Sequence, residues 1–211
     1  NAEPSSDAIK TEIWWFDGAE NLKLLAPTTN NSSELKSAID EISPSMSSDN
    51  STNLYGAVIQ SVEVATQRLT QTRQQDEIGS SAVVIFTDGT DQANRATKGQ
   101  ALDAVNKADS DISFYTIGLG GEIDESVLSV IGKTSFVSAT NIGELLEKFS
   151  EIGDLISGRA NSFYLLEYCS PKRSGNNQLT IEVVKGSLKG SANTLFDASN
   201  FNGSCNLQGI R

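Results

Sequence analysis

The chain has 211 residues, enough for one sizeable core with a small appendage but not for two full domains. Its 27 Asp and Glu against 16 Lys and Arg give a formal charge of −11, which repels nucleic acid and anionic membrane surfaces and favours solubility and cation binding. There is no histidine, so Ser-His-Asp and Cys-His catalysis, His-ligated zinc and His-held haem are all excluded.

In chain order, Asn1 to Asp7 (NAEPSSD) is polar and reads as a loose leader covering residues 1–8. It lacks the basic-then-apolar layout of a signal peptide, and no apolar run approaches the roughly 20 residues that cross a bilayer. Ile9 to Phe16 and Leu22 to Leu25 read as two strands joined through Asp17-Gly18, a hairpin signal with a loop longer than the tightest type. Ser33 to Ile42 follows as a helix with Ser32 or Ser33 as cap, Leu35, Ala38, Ile39 and Ile42 at helical spacing, and Pro44 beyond its end. The polar loop Ser45 to Asn53 then runs into a helix from Leu54 to about Leu69, delivering Ser51 and Thr52 to a helix N-terminus where either hydroxyl can serve as cap.

After a solvated linker, Ala82 to Phe86 forms an unbroken apolar run that ends in Thr87-Asp88-Gly89. The pattern predicts a strand buried on both faces. It puts a carboxylate at the carboxyl end of that strand, where open α/β sheets place their ligand sites; Asp88 reads equally as a turn or cap residue. A helix over Lys98 to Ala108, a strand over Ile112 to Leu119, a short helix over Asp124 to Ile131, a short strand over Ser135 to Ser138 and a long helix over Ile142 to Ile156 complete an alternation. That order implies parallel strands with right-handed crossovers, hence a doubly wound, mostly parallel α/β sheet flanked by helices. The glycines at Gly118, Gly120 and Gly121 match no phosphate-binding loop, since the spacing and the following helix start are wrong.

The tail changes character. Ser162 to Tyr168, Leu179 to Val184 and Thr194 to Ala198 read as strands between Gly- and Ser-rich turns, a small β extension expected to pack on the sheet edge. The domain layout expected is therefore a leader, residues 1–8, an α/β domain, residues 9–158, and an extension, residues 159–211. The two cysteines, Cys169 and Cys205, flank strands of this extension. Paired, they would add roughly 4 kcal/mol on the chain-entropy estimate and suit an oxidising compartment, extracellular, cell-surface or periplasmic; the alternative is two unrelated thiols.

Four segments, FDG at Phe16 to Gly18, STNLYGA at Ser51 to Ala57, VVIFTDGTD at Val83 to Asp91 and FYTIGLG at Phe114 to Gly120, together resemble the von Willebrand factor type A domain in order and spacing. The likeness covers roughly Ile9 to Ser157. It implies a divalent cation, usually magnesium, with manganese or calcium as alternatives, held at the strand tips by a D-x-S-x-S loop, a threonine and an aspartate. Carried onto this chain, the threonine is Thr52 and the aspartate Asp88, with Ser51, Asp49, Thr90 and Asp91 as surrounding loop residues. Magnesium takes about six oxygens and keeps several waters, so an open position would accept a carboxylate from a partner protein. The expectation is a protein-binding, adhesion-type module and not an enzyme, with a metal-free scaffold as the alternative.

One departure from the family pattern is large: no D-x-S-x-S lies ahead of Ile9, and the strand and helix that carry it are missing. By analogy that strand lies between the one ending at Phe16 and the one ending at Phe86, and an open gap there would leave backbone groups unpaired in a core. Three fillers are conceivable: a preceding segment of a longer or nicked chain, a strand from another copy or partner, or the tail, where Asp197 to Phe201 reads D-x-S-x-F.

Overall fold

The computed structural model describes residues 9–75, 77, 79–162 and 168–201. The chain divides into two compact units between Phe163 and Tyr164.

The first unit opens with an antiparallel pair, β1 (Thr11–Trp15) and β2 (Lys23–Thr29), whose register shifts twice between Thr11 and Trp14. β2 runs further than the apolar pattern suggests and takes in Pro27, which lacks the N–H a central strand needs. Helix α1 (Ser32–Asp40) follows, capped by Asn31, whose side chain accepts from Ser33 N at 3.0 Å; Ser32 and Ser33, the expected caps, are its first helical residues. None of its residues is buried, and Ile39 and Ile42 are about half exposed.

A 3₁₀ turn at Pro44–Met46 leads through the polar loop into α2 (Leu54–Gln74), the longest helix described. It continues to Gln74 and so absorbs part of the expected linker. Leu54, Val58, Val62, Ala65 and Leu69 keep helical spacing, and all are buried. They form the centre of the main core with Val83, Ile85, Ala101, Val105, Ile112 and Phe114.

The parallel sheet has the order β3-β4-β5, built from β3 (Ser81–Thr87), β4 (Ile112–Leu119) and β5 (Ser135–Ala139). Three helices join or follow these strands, α3 (Lys98–Lys107), α4 (Glu125–Ile131) and α5 (Ile142–Ala160). The α/β architecture read from the sequence is the one observed. β4, central, is buried along nearly its whole length on both faces. The same expectation fails for β3, where Val83, Ile85 and Thr87 are buried but Ala82, Val84 and Phe86 are exposed. The reason is position: β3 is an edge of this sheet, with α2 against one face and its other face only partly covered, Phe86 meeting Phe149 of α5 at 5.5 Å between ring centroids.

Among the described residues of the second unit, β6 (Asn176–Lys185) and β7 (Leu188–Asp197) form a hairpin in unbroken antiparallel register, turning at Gly186 with φ 61°. Of the expected strand over Ser162 to Tyr168, residues 163–167 lie outside the described residues. Among the described residues β7 pairs with β6 alone, and the D-x-S-x-F run closes on itself, Ser199 Oγ donating to Asp197 Oδ1 at 2.6 Å. Cys169 is described and Cys205 is not, so the expected pairing lies outside the described residues.

Candidate functional site

The carboxyl ends of β1 and β3 meet the loop that enters α2. Asn53 caps α2, its side chain accepting from Gly56 N at 3.1 Å, while its amide donates to Ala19 O at 2.9 Å and Glu20 O at 3.2 Å. Its own N–H donates to Asp17 O at 2.9 Å. Asn53 is almost fully buried and does the capping that the sequence offered to Ser51 and Thr52. An Asn directly before an apolar periodic run is itself a cap signature, and could have been found from the sequence.

One residue earlier, the carbonyl of Thr52 accepts from Gln92 N at 2.8 Å and Ala93 N at 3.0 Å, which ties the loop after β3 to the loop before α2. A methyl group placed on Gly89 would sit 3.7 Å from Thr52 Oγ1. The turn between them is set by Thr87, whose hydroxyl donates to Gly89 O at 3.1 Å and accepts from Gly89 N at 3.3 Å. Asp88 stands exposed at its apex. Neither Thr52 Oγ1 nor the Asp88 carboxylate takes part in a hydrogen bond or ion pair among the described residues.

The neighbouring acids have internal duties. Asp91 joins α2 to the loop after β3, its carboxylate accepting from Tyr55 N at 3.0 Å and Asn94 N at 3.1 Å. The Tyr55 phenol is pushed up by burial and by Asp91 and Asp124 nearby. Asp49 accepts from Ser51 Oγ at 2.7 Å and Ser51 N at 3.0 Å, and Arg95 lies 3.8 Å away; the Ser51 bonds lead in holding its carboxyl below the usual range. Ser51 is thereby committed to Asp49. Thr90 is half-buried in the same turn region.

Sequence reasoning missed Asp17, read only as half of an Asp-Gly turn. It is 7 % exposed. Its carboxylate accepts from Lys23 Nζ at 2.8 Å, Ala19 N at 2.9 Å, Ser47 Oγ at 3.2 Å and Ser48 N at 3.4 Å. Burial pushes the carboxyl up, but the Lys23 bond, the Ala19 N–H and the Lys23 charge outweigh it and bring the pKa down to about 2. Lys23 also lies 4.1 Å from the Trp15 ring centre. Gly18 next to it touches the polar loop so closely that an added Cβ would strike Ser51 Oγ and the Asp49 carboxylate. Asp17 and Gly18 thus fasten the end of β1 to the loop that carries Thr52.

As a donor set for magnesium, Thr52 and Asp88 are hard oxygens of the right kind, uncommitted elsewhere, and they supply two of the roughly six positions required. Among the described residues no group of three or more Asp, Glu, Cys or His could hold a metal ion. The fit is that of an incomplete site.

The profile of the von Willebrand factor type A domain matches residues 18–155. The chain belongs to that family. Among solved structures, the conserved hypothetical protein BatB from Bacteroides thetaiotaomicron is similar with a TM-score of 0.55 at 22 % identity, over 74 % of this chain and 82 % of that one. The proximal thread matrix protein 1 of the mussel byssus, whose structure has a zinc-occupied metal-ion-dependent adhesion motif, has a TM-score of 0.55 at 16 % identity over 70 % of this chain and 36 % of its own length. A von Willebrand factor type A protein from Catenulispora acidiphila has 0.52 at 13 % identity, over 91 % of this chain and 47 % of that one. At these identities the likeness is one of fold. No curated protein sequence matches the chain. No helix among the described residues is long and apolar enough to cross a membrane.

Proposed function

We propose that this domain is a protein-binding module of adhesion type, working in an oxidising compartment outside the cytoplasm, that recognises an acidic group of a partner protein through a divalent cation. Thr52 and Asp88 would hold the cation, magnesium by preference, with Ser51, Asp49, Thr90 and Asp91 shaping the loops around them. When bound, the cation supplies a positive pole for a partner carboxylate on a surface that is otherwise acidic. The observation that carries the reading is the meeting of two loops distant in sequence, through the Thr52 carbonyl, with two oxygen donors left uncommitted beside each other's loops. The zinc-occupied motif of the mussel protein lends the same fold a precedent for cation binding.

A metal-free scaffold is the second reading, favoured by the absence, among the described residues, of any group of three or more Asp, Glu, Cys or His that could hold a metal ion. The two separate on one experiment. Magnesium or manganese raises the melting temperature of the 211-residue chain if the cation reading holds, and Asp88→Ala removes that rise. Because Asp88 is exposed and unbonded, the substitution itself changes stability in the absence of metal by no more than about 0.5 kcal/mol. A melting temperature indifferent to both cations, and partner binding indifferent to Asp88→Ala, leave the scaffold.

A further inference from the structure

The formal charge of −11 is divided unevenly between the two units. Residues 164–211 hold five of the 16 Lys and Arg and only three of the 27 Asp and Glu, a net of +2 that leaves −13 on the first unit. Two of the five cations, Lys185 and Lys189, flank the two-residue turn Gly186-Ser187 of the β6–β7 hairpin. Lys189 pairs with Glu182 at 3.0 Å, and Lys185 has no ion pair among the described residues. Charges more than a Debye length away, about 10 Å at 0.1 M salt, are largely screened. A surface that meets this turn therefore meets a positive charge, whatever the sign of the whole chain.

The hairpin changes character along its length. From Gln178 to Val183, β6 alternates polar and apolar residues, with Leu179, Ile181 and Val183 on one face and Gln178, Thr180 and Glu182 on the other, the pattern of a strand covered on one side. At the base the apolar face has neighbours of its own: Phe196 meets Tyr168 at 6.2 Å and Phe201 at 5.8 Å between ring centroids, and Leu179 and Ile181 are half-buried. Toward the turn this cover stops, and every residue from Glu182 to Leu195 is exposed. The alternation stops there too. Val184 follows Val183 directly, so the two point to opposite faces, and Leu188 stands across the turn opposite Lys185. Val183, Val184 and Leu188 are 60, 66 and 73 % exposed.

We propose that the turn of the β6–β7 hairpin is a lipid-contacting tip, which enters the headgroup region of an anionic bilayer with Val183, Val184 and Leu188 and sets Lys185 against the lipid phosphates. The tip is apolar on both faces of a ribbon only two strands wide. A flat protein surface would cover one face and leave the other in water; a second copy packed face to face on this hairpin would bury Val183 and Leu188 and leave Val184 exposed. A bilayer surrounds the tip and takes all three. Interfacial segments sit about 5–10 Å into the boundary between headgroups and acyl chains. At about 3.4 Å per residue that is about three residues of strand, which counted back from Gly186 reaches Val183. The stem of Lys185 can lie along the apolar surface while its ammonium group reaches back to the phosphates. None of this depends on cation binding at Thr52 and Asp88.

The test is flotation of the 211-residue chain with vesicles of phosphatidylcholine alone and of phosphatidylcholine mixed with phosphatidylglycerol, with EDTA present so that failure here and failure of the cation reading are separate results. The expected result is binding to the mixed vesicles, weakened about fivefold by Lys185→Gln and about tenfold by Val184→Ser. Ser191→Ala, also exposed and on the polar face behind the tip, leaves binding unchanged. All three positions are exposed, so the urea midpoint of each variant stays that of the native chain and lost binding is not lost folding. Failure to bind the mixed vesicles, or binding that Val184→Ser leaves unchanged, would overturn the tip. So would retention on immobilised polyglutamate that Val184→Ser weakens equally, which would make an acidic protein the partner. Self-association without vesicles that Val184→Ser abolishes would overturn it as well, in favour of a second copy.

Discussion

Asp17 is the one charged residue buried among those described, and its four bonds explain why a charge is tolerated there. Removing the carboxylate in Asp17→Ala leaves Lys23 unpaired and strips the Ala19 and Ser48 N–H groups of their acceptor, at a cost of about 1–3 kcal/mol measured by urea unfolding. The pH dependence has a definite sign. The carboxyl has a pKa of about 2 when folded against an ordinary 3.8, so its stabilisation is complete above about pH 4 and is lost as pH falls toward 2. Other acids with lowered pKa values act in the same direction, so the test is a difference: between pH 5 and 2 the melting temperature of the native chain falls more steeply than that of Asp17→Asn. Equal slopes would show that Asp17 does not anchor the end of β1.

At the scale of elements, the close joint between α4 and the strands β4 and β5 depends on having no side chain at Gly132. A Cβ there would meet Thr116 Oγ1, Ser135 O at 2.7 Å and Thr116 N at 2.9 Å. Two of these are backbone atoms in paired strands and cannot swing aside, and Thr116 Oγ1 is itself engaged with Leu128 O at 2.8 Å. Gly132→Ala is therefore expected to destabilise by about 1–3 kcal/mol through overpacking, read as a lower denaturation midpoint with unchanged slope. Gly120, at φ 79° with nothing within 4 Å of its Cβ position, makes the contrasting case: there conformation resists a side chain, and space does not.

For the whole molecule, charge is the dominant global property. A formal charge of −11 spread over 211 residues works against the compact state, and salt relieves that repulsion. Raising sodium chloride from about 10 to about 200 mM, where the Debye length falls below about 10 Å, is expected to raise the melting temperature. Exposed pairs such as Lys36 with Asp40 and Lys107 with Asp103 lose little, because such pairs contribute little to begin with. A melting temperature that falls with salt would mean that the ion pairs, among them Arg73 with Asp109 and Asp111, outweigh the net repulsion.

The alternation of strand and helix, the limits of β4 and the apolar face of α2 were legible in the amino-acid order, because burial on a helix or between two helices imposes a period that local sequence must obey. So was the family, through four short motifs in fixed order. Thr52 and Asp88 could be nominated the same way. What only the folded chain decided were facts of edge and partner: that β3 is an edge strand with one open face, that Asn53 and not a neighbouring hydroxyl caps α2, that Ser51 and Asp91 spend their bonds inside the loops, and that Asp17 is buried. Each depends on which distant residue arrives opposite, and a run such as AVVIF or an Asp-Gly pair reads the same whether its neighbour is a helix, a strand or water.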